Sequence, residues 1–176
     1  MADSENEAEA YEGLMERFPV LFQNRNRPDT ESCMAWGIEC PSGWFRLLER
    51  LCTSLEYLNI EFGREWHRAI VADQVKEKFG TLCFYFHIAS VDGTGTEVDR
   101  IEIDLREEHC KVVEDELRNR ASVLINEATS RSETTCAECG WDISDGSGIT
   151  TRGWISHLCK ACFNRRNGLG GDGPNP

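Results

Sequence analysis

Histidine is scarce in this 176-residue sequence (four residues), as is proline (five), and no apolar run approaches the ~18 residues that a membrane helix needs. No span is therefore expected. The first thirteen residues, MADSENEAEAYEG, lack the basic start and apolar centre of a secretory signal, so a cytoplasmic location with reduced thiols is expected. Sequence motifs that announce common chemistries are missing as well. There is no G-x-S-x-G elbow, no P-loop, no dinucleotide fingerprint and no H-E-x-x-H helix. Positive charge is in short supply: nineteen basic residues face thirty-one acidic ones, for a net charge of −12. A surface of that sign repels phosphate and argues against nonspecific nucleic-acid binding.

What is present reads as a globular chain. Hydrophobic residues make up 40% and charged residues 28%, enough for one domain with a small appendage. Residues 1–12 are acidic and offer little to bury, so a loose tail is expected there, with one or two helical turns between Tyr11 and Gln23. Trp36-Gly37-Ile38-Glu39-Cys40-Pro41-Ser42-Gly43-Trp44 reads as a tight aromatic turn that packs both tryptophans in the core, with Ser42 as N-cap of the next helix. Trp44, Leu47, Leu48, Leu51, Leu55, Leu58 and Phe62 recur at helical spacing and predict a helix over 43–61. Leu82, Phe84, Phe86 and Ile88 alternate with polar neighbours and predict a strand, paired with 69–75 through a turn at 76–80. Ile101, Ile103 and Leu105 predict a further short strand. Cys110, Val113, Leu117, Ala121, Leu124, Ile125 and Ala128 then define one face of a helix over 106–131.

The expected fold is α+β: two main helices on a small antiparallel sheet, with a C-terminal zinc-ribbon or treble-clef lobe. Its expected divisions are a tail at 1–12, a core domain at 13–132, the lobe at 133–166 and a Gly/Pro-rich tail at 167–176.

Cysteine carries the strongest signal. Cys136-Ala137-Glu138-Cys139 and Cys159-Lys160-Ala161-Cys162 are two C-x2-C knuckles at zinc-ligand spacing, and Gly140 frees the chain to turn around an ion. Four thiolates fill a tetrahedron and leave no position for a catalytic water, so one structural zinc per chain is expected. His157 is the alternative ligand and otherwise a neighbouring histidine. Cys33, Cys40, Cys52, Cys83 and Cys110 read as buried residues, with a second weak metal site at Cys33 and Cys40 as the alternative.

Enzyme signals are weak. Arg64-Glu65-Trp66-His67-Arg68 is a loop packed on the sheet or, alternatively, an anion-holding patch. The segment from His157 to Arg166 looks like the zinc-bearing end of HNH nucleases. Those enzymes also need a water-activating histidine, usually in an Asp-His or His-His pair, and neither pair occurs. A non-enzyme is expected. Acid is concentrated in residues 97–127, with ten acidic and five basic positions. Glu107, Glu108, Glu114, Asp115 and Glu116 would form a partner-binding acidic face or merely a solvated one. Arg152, Lys160, Arg165 and Arg166 on the metal lobe are the alternative partner surface.

Trp36 to Phe45 with the helix after it, Val75-Lys76-Glu77-Lys78-Phe79-Gly80-Thr81-Leu82-Cys83-Phe84-Tyr85, and Gly153-Trp154-Ile155 before the last cysteines together resemble a family of small uncharacterised bacteriophage and prophage proteins. The resemblance covers about 36–88 and 121–163. This chain departs from the family pattern in an acidic insertion around 91–108 and in Cys162, where histidine is common. The resemblance implies a phage origin and a role in the host cytoplasm. It carries no activity with it. The expected function is that of a non-enzymatic zinc-binding interaction protein that inhibits a host protein or ribonucleoprotein complex, in the sharpest version a host-defence inhibitor such as an anti-CRISPR. A long helix running into Cys-x2-Cys-Gly is also similar, in part, to the DksA/TraR group that binds RNA polymerase. That group relies on a helical hairpin, whereas a β-rich segment separates the two helices here.

Overall fold

A computed structural model describes residues 2–98 and 107–169, apart from the side chains of residues 2–8 and 107–109. The strand expected at 101–105 lies outside the described residues, as does the tail beyond 169.

Helix α2 (Phe45–Trp66) is the central element and runs five residues past the expected end. One face buries Leu48, Leu51, Cys52, Leu55, Leu58 and Phe62, as the spacing requires. It stops where His67 adopts the left-handed conformation (φ 53°) and donates its N–H to the Gly63 carbonyl. Ser42 does not cap it: the helix is preceded by a 3-10 turn over Ser42–Trp44, and no side chain accepts from its first turn.

Strands β2 (Arg68–Lys78) and β3 (Thr81–Ser90) form the long hairpin that the alternation predicts. The register breaks between Ala72 and Gln74, leaving Asp73 as a bulge. Ile70 and Ala72 face the main core before the bulge, and the extra residue keeps Val75 on that same face after it. The opposite face buries Ala69, Val71, Ala89 and Val91 against Val20.

The sheet is mixed rather than purely antiparallel. Ile38–Glu39 forms β1, which pairs parallel to β2 at Val75 and Lys76. Beyond this short strand the edge of β2 is satisfied by other groups. The Leu21 carbonyl accepts from Ala72 N–H (2.8 Å), while buried Asn59 accepts from Ile70 N–H (2.7 Å) and donates to its carbonyl (3.1 Å).

Helix α3 (Glu107–Ser132) lies against α2 and the hairpin and buries Leu117, Ala121, Ile125 and Ala128. Arg120 fastens it to Glu61 of α2 through two bonds (2.8 and 3.0 Å), and Glu114 to Arg68 through one (2.7 Å). Where a loose tail through residue 12 is expected, Ala2–Arg17 forms helix α1. Tyr11, Leu14 and Met15 bury one side of it, and the Tyr11 hydroxyl donates to the Pro41 carbonyl at 2.7 Å. Among the described residues no helix is long and apolar enough to cross a membrane.

The two tryptophans of the aromatic turn have different fates. Trp44 is fully buried, whereas Trp36 is 57% exposed and does not join the core. Trp44→Ala should therefore destabilise the protein by about 3–5 kcal/mol in a denaturant titration, and Trp36→Ala by less than about 1 kcal/mol. Equal losses would contradict this assignment.

Candidate metal centre

The C-terminal lobe is small: strands β4 (Ile149–Thr150) and β5 (His157–Leu158) pair antiparallel, and helix α4 (Lys160–Arg166) follows. Its interior holds Cys136, Ala137, Ile143, Leu158, Cys159 and Cys162. The four cysteine sulfurs of the two knuckles lie within 4.8 Å of one another. A tetrahedron with ~2.3 Å metal–sulfur bonds has its sulfurs ~3.8 Å apart, and Cys139 Sγ and Cys159 Sγ stand at 3.7 Å. The residues fit a four-thiolate metal site. The two pairs are shaped differently, the first by a turn closed by Gly140 (φ 74°) donating to the Cys136 carbonyl, the second by the start of α4.

Among the described residues this is the one cluster of three or more ligating side chains. Cys33 and Cys40 belong to no such cluster. Burial pushes the Cys40 thiol far above its usual range, with the Glu77 carboxylate adding to the effect, and the residue packs half-buried against the core. His157 is not a ligand either. Its Nδ1 meets Thr150 Oγ1 at 3.1 Å and its backbone carbonyl accepts from Ala137 N–H, which places the histidine as a brace between the knuckles.

The lobe is joined to the core by close backbone packing. Gly43 N–H donates to the Ala137 carbonyl at 2.9 Å, and a Cβ on Gly43 would lie 2.3 Å from the Cys136 carbonyl oxygen. A Cβ on Gly140 would in turn lie 2.6 Å from the Gly43 carbonyl oxygen. Trp44 Nε1 donates to Thr135 O at 3.3 Å, and the hairpin turn at Gly80 abuts the His157 ring. Gly43 is thus part of the centre, although the sequence places it only in an aromatic turn.

The expected partner surfaces are only partly assembled. The side chains of Glu107 and Glu108 lie outside the described residues. Asp115 and Glu116 are exposed, but Glu114 is paired with largely buried Arg68 and is not a free member of an acidic face. On the lobe, Arg165 Nη2 lies 2.9 Å from Cys162 Sγ, and Arg165 and Arg166 each approach Glu138 at 4.0 Å. Arg152 and Lys160 are exposed.

Two arrangements went unread in the sequence. His87 bridges Asp73 (2.7 Å) and Glu97 (3.2 Å), which commits both ring nitrogens to carboxylates on neighbouring segments, 14 and 10 residues away. The second is an aromatic shelf. Phe79 and Gly80 are the two turn residues of the β2–β3 hairpin, and both have positive φ (55° and 80°). Such turns favour Asn-Gly; a phenylalanine there costs ~1–2 kcal/mol of backbone strain. Its ring is 72% exposed and lines a cavity of about 290 Å³ with Trp154, 75% exposed, and Ile155. The signal available in the sequence was Lys-Phe-Gly-Thr at a two-residue turn, where an aromatic is out of place.

Family models, curated proteins and solved structures offer no match to this chain.

Replacing Gly43 with alanine should force the first knuckle away from α2. Thermal or denaturant unfolding is expected to show a loss of at least about 2–3 kcal/mol, far above what Gly→Ala at an open turn produces. Wild-type stability in Gly43→Ala would refute the contact.

Proposed function

We propose that this chain is a non-enzymatic interaction protein, built around one structural zinc, that engages its partner through the aromatic shelf of Phe79, Trp154 and Ile155. The observation that carries the reading is Phe79: a bulky side chain kept in a left-handed turn, with its ring in solvent, beside an equally exposed tryptophan. Strain and exposure of this kind persist where a surface is used. Lys78 Nζ, 5.5 Å from the Phe79 ring centre, adds a cation at the rim. Exposed aromatics with neighbouring cations are the composition of binding anchors.

Zinc fits the remaining facts. Soft thiolates in a closed tetrahedral set suit it, and their number leaves no open position for substrate or water. Its role is to hold the lobe, and with it Trp154, against the hairpin tip. The resemblance to phage and prophage proteins points to a host macromolecular complex, protein or ribonucleoprotein, whose function is blocked when the shelf docks.

Elemental analysis of the purified protein should find one zinc per chain, and Cys139→Ser should lose most of it; a metal-free, fully folded protein would remove the metal from this reading. Phe79→Asn is expected to raise stability by about 1 kcal/mol, because asparagine tolerates the turn. Combined with Trp154→Ala, it should retain zinc and lose the complex that the wild-type protein captures from a host lysate. Unchanged capture by the double variant would move the partner surface elsewhere.

A further inference from the structure

Charge is unevenly placed along this chain. The net charge is −12, yet residues 146–171 include Arg152, Lys160, Arg165 and Arg166 and not one acidic residue. Arg152 stands two residues before the exposed Trp154. Across the hollow of about 290 Å³ that Trp154 lines, β2 ends in Lys76 and Lys78. Among the described residues, Lys76, Lys78 and Arg152 have no ion-pair partner, in a chain with thirty-one acids to offer one. Glu39 lies in register with Lys76 but makes no ion pair with it. Glu77, the one acid on the hollow, already accepts from Gly80 N–H. The sign that repels phosphate from the chain as a whole is interrupted at this end.

Exposed rings accompany these cations. Val75 and Phe84 belong to the core, so their neighbours Lys76 and Tyr85 lie on the other face of the hairpin, with Lys76 Nζ 5.9 Å from the Tyr85 ring centre. Tyr85 is exposed there. At the tip, Lys78 and Phe79 repeat the pairing of one cation with one ring. Trp154 has no ring or cation against it among the described residues. Its loop is nevertheless fastened. The Thr151 hydroxyl donates to the Trp154 carbonyl at 2.6 Å, and Thr151 N–H donates to the Ser156 carbonyl at 3.0 Å. The indole is held out by a closed turn.

Rings interleaved with unpaired cations suit one class of ligand. In single-stranded nucleic acid every base has a face that stacks on an aromatic side chain, and every linkage has a phosphate for a cation. A duplex keeps its base faces inside its own stack and offers the rings nothing. An acidic peptide would engage the cations and leave the rings idle.

We propose, on the reading that Phe79 and Trp154 form the partner surface, that this end of the molecule binds single-stranded nucleic acid. Bases stack on Tyr85, Phe79 and Trp154, and phosphates meet Lys76, Lys78 and Arg152. The test is the fluorescence anisotropy of end-labelled RNA and DNA strands of mixed sequence, about twelve nucleotides long, titrated with the full chain. A dissociation constant of about 100 µM or tighter is expected at about 50 mM salt, with a log–log salt slope of about −2, as three cations on a single strand require. Trp154→Ala and Phe79→Asn should each weaken binding at least about five-fold with little change in that slope. Lys78→Gln should flatten the slope by about 0.7. Arg118→Gln, at an exposed position on α3, should bind as wild type. A duplex of the same sequence should bind at least about five-fold more weakly than the strand. The proposal is overturned if both aromatic variants bind as wild type, or if a polyglutamate peptide competes as well as an unlabelled strand, which would make the ligand an acidic protein segment. Absence of strand binding, with capture from lysate still lost in the Phe79→Asn, Trp154→Ala double variant, would overturn this proposal alone. Absence of strand binding with capture unchanged would overturn the aromatic shelf as well.

Discussion

Everything in this protein depends on one steric fact: the backbone of Gly43 lies against the backbone of the first cysteine knuckle with no room for a side chain between them. The contact joins the start of the central helix to a cysteine-bearing turn far down the chain. Trp44 can then fill the core while its indole nitrogen reaches the Thr135 carbonyl. The end of α3 is fixed in the same place, because Ser132 accepts from Leu82 N–H and donates to Thr129 O. Helix, hairpin and metal lobe therefore meet at one junction, and the lobe is less an appendage than the closure of the fold.

From that junction the molecule extends in one direction, along two elements of matched length. Helix α2 has 22 residues and strand β2 has 11, so each spans ~33–36 Å. Their common length gives the protein two ends. One carries the cysteine cluster, the hairpin tip and the aromatic shelf; the other carries the left-handed His67 and the turn at Asp92–Gly95. Between them lies the apolar interior, sealed along the β2 edge by Asn59 and Leu21 where β1 is too short to reach.

How much of this was legible in the sequence depended on whether the signal was local. Helices α2 and α3 and strand β3 show clean periodicity because each turns one apolar face to the core over much of its described length. The four-cysteine cluster was readable because C-x2-C spacing is a local signature of tetrahedral ligation that does not depend on the rest of the fold. β1 has only two residues, and its parallel pairing leaves no local trace. The bulge at Asp73 shifts the phase of β2 and hides its alternation. Helix α1 was obscured by acidic composition, although Tyr11, Leu14 and Met15 already had helical spacing. Trp36 misled in the other direction: aromatic character favours burial, but apolar residues also occupy surfaces. The Gly43 contact, the bridging of His87 and the pairing of Glu114 with Arg68 are tertiary and left no mark on any short window.

The burial of the four clustered cysteines is uneven. Cys136, Cys159 and Cys162 are buried, and Cys139 is exposed. Sulfur that meets solvent is the sulfur that oxidants and competing chelators reach first. Were an ion held by these four residues, Cys139 would be the ligand most open to attack while the other three stayed enclosed. The turn that carries Cys139 ends at Gly140, against Gly43, so damage at this one exposed cysteine would be felt first where the central helix begins.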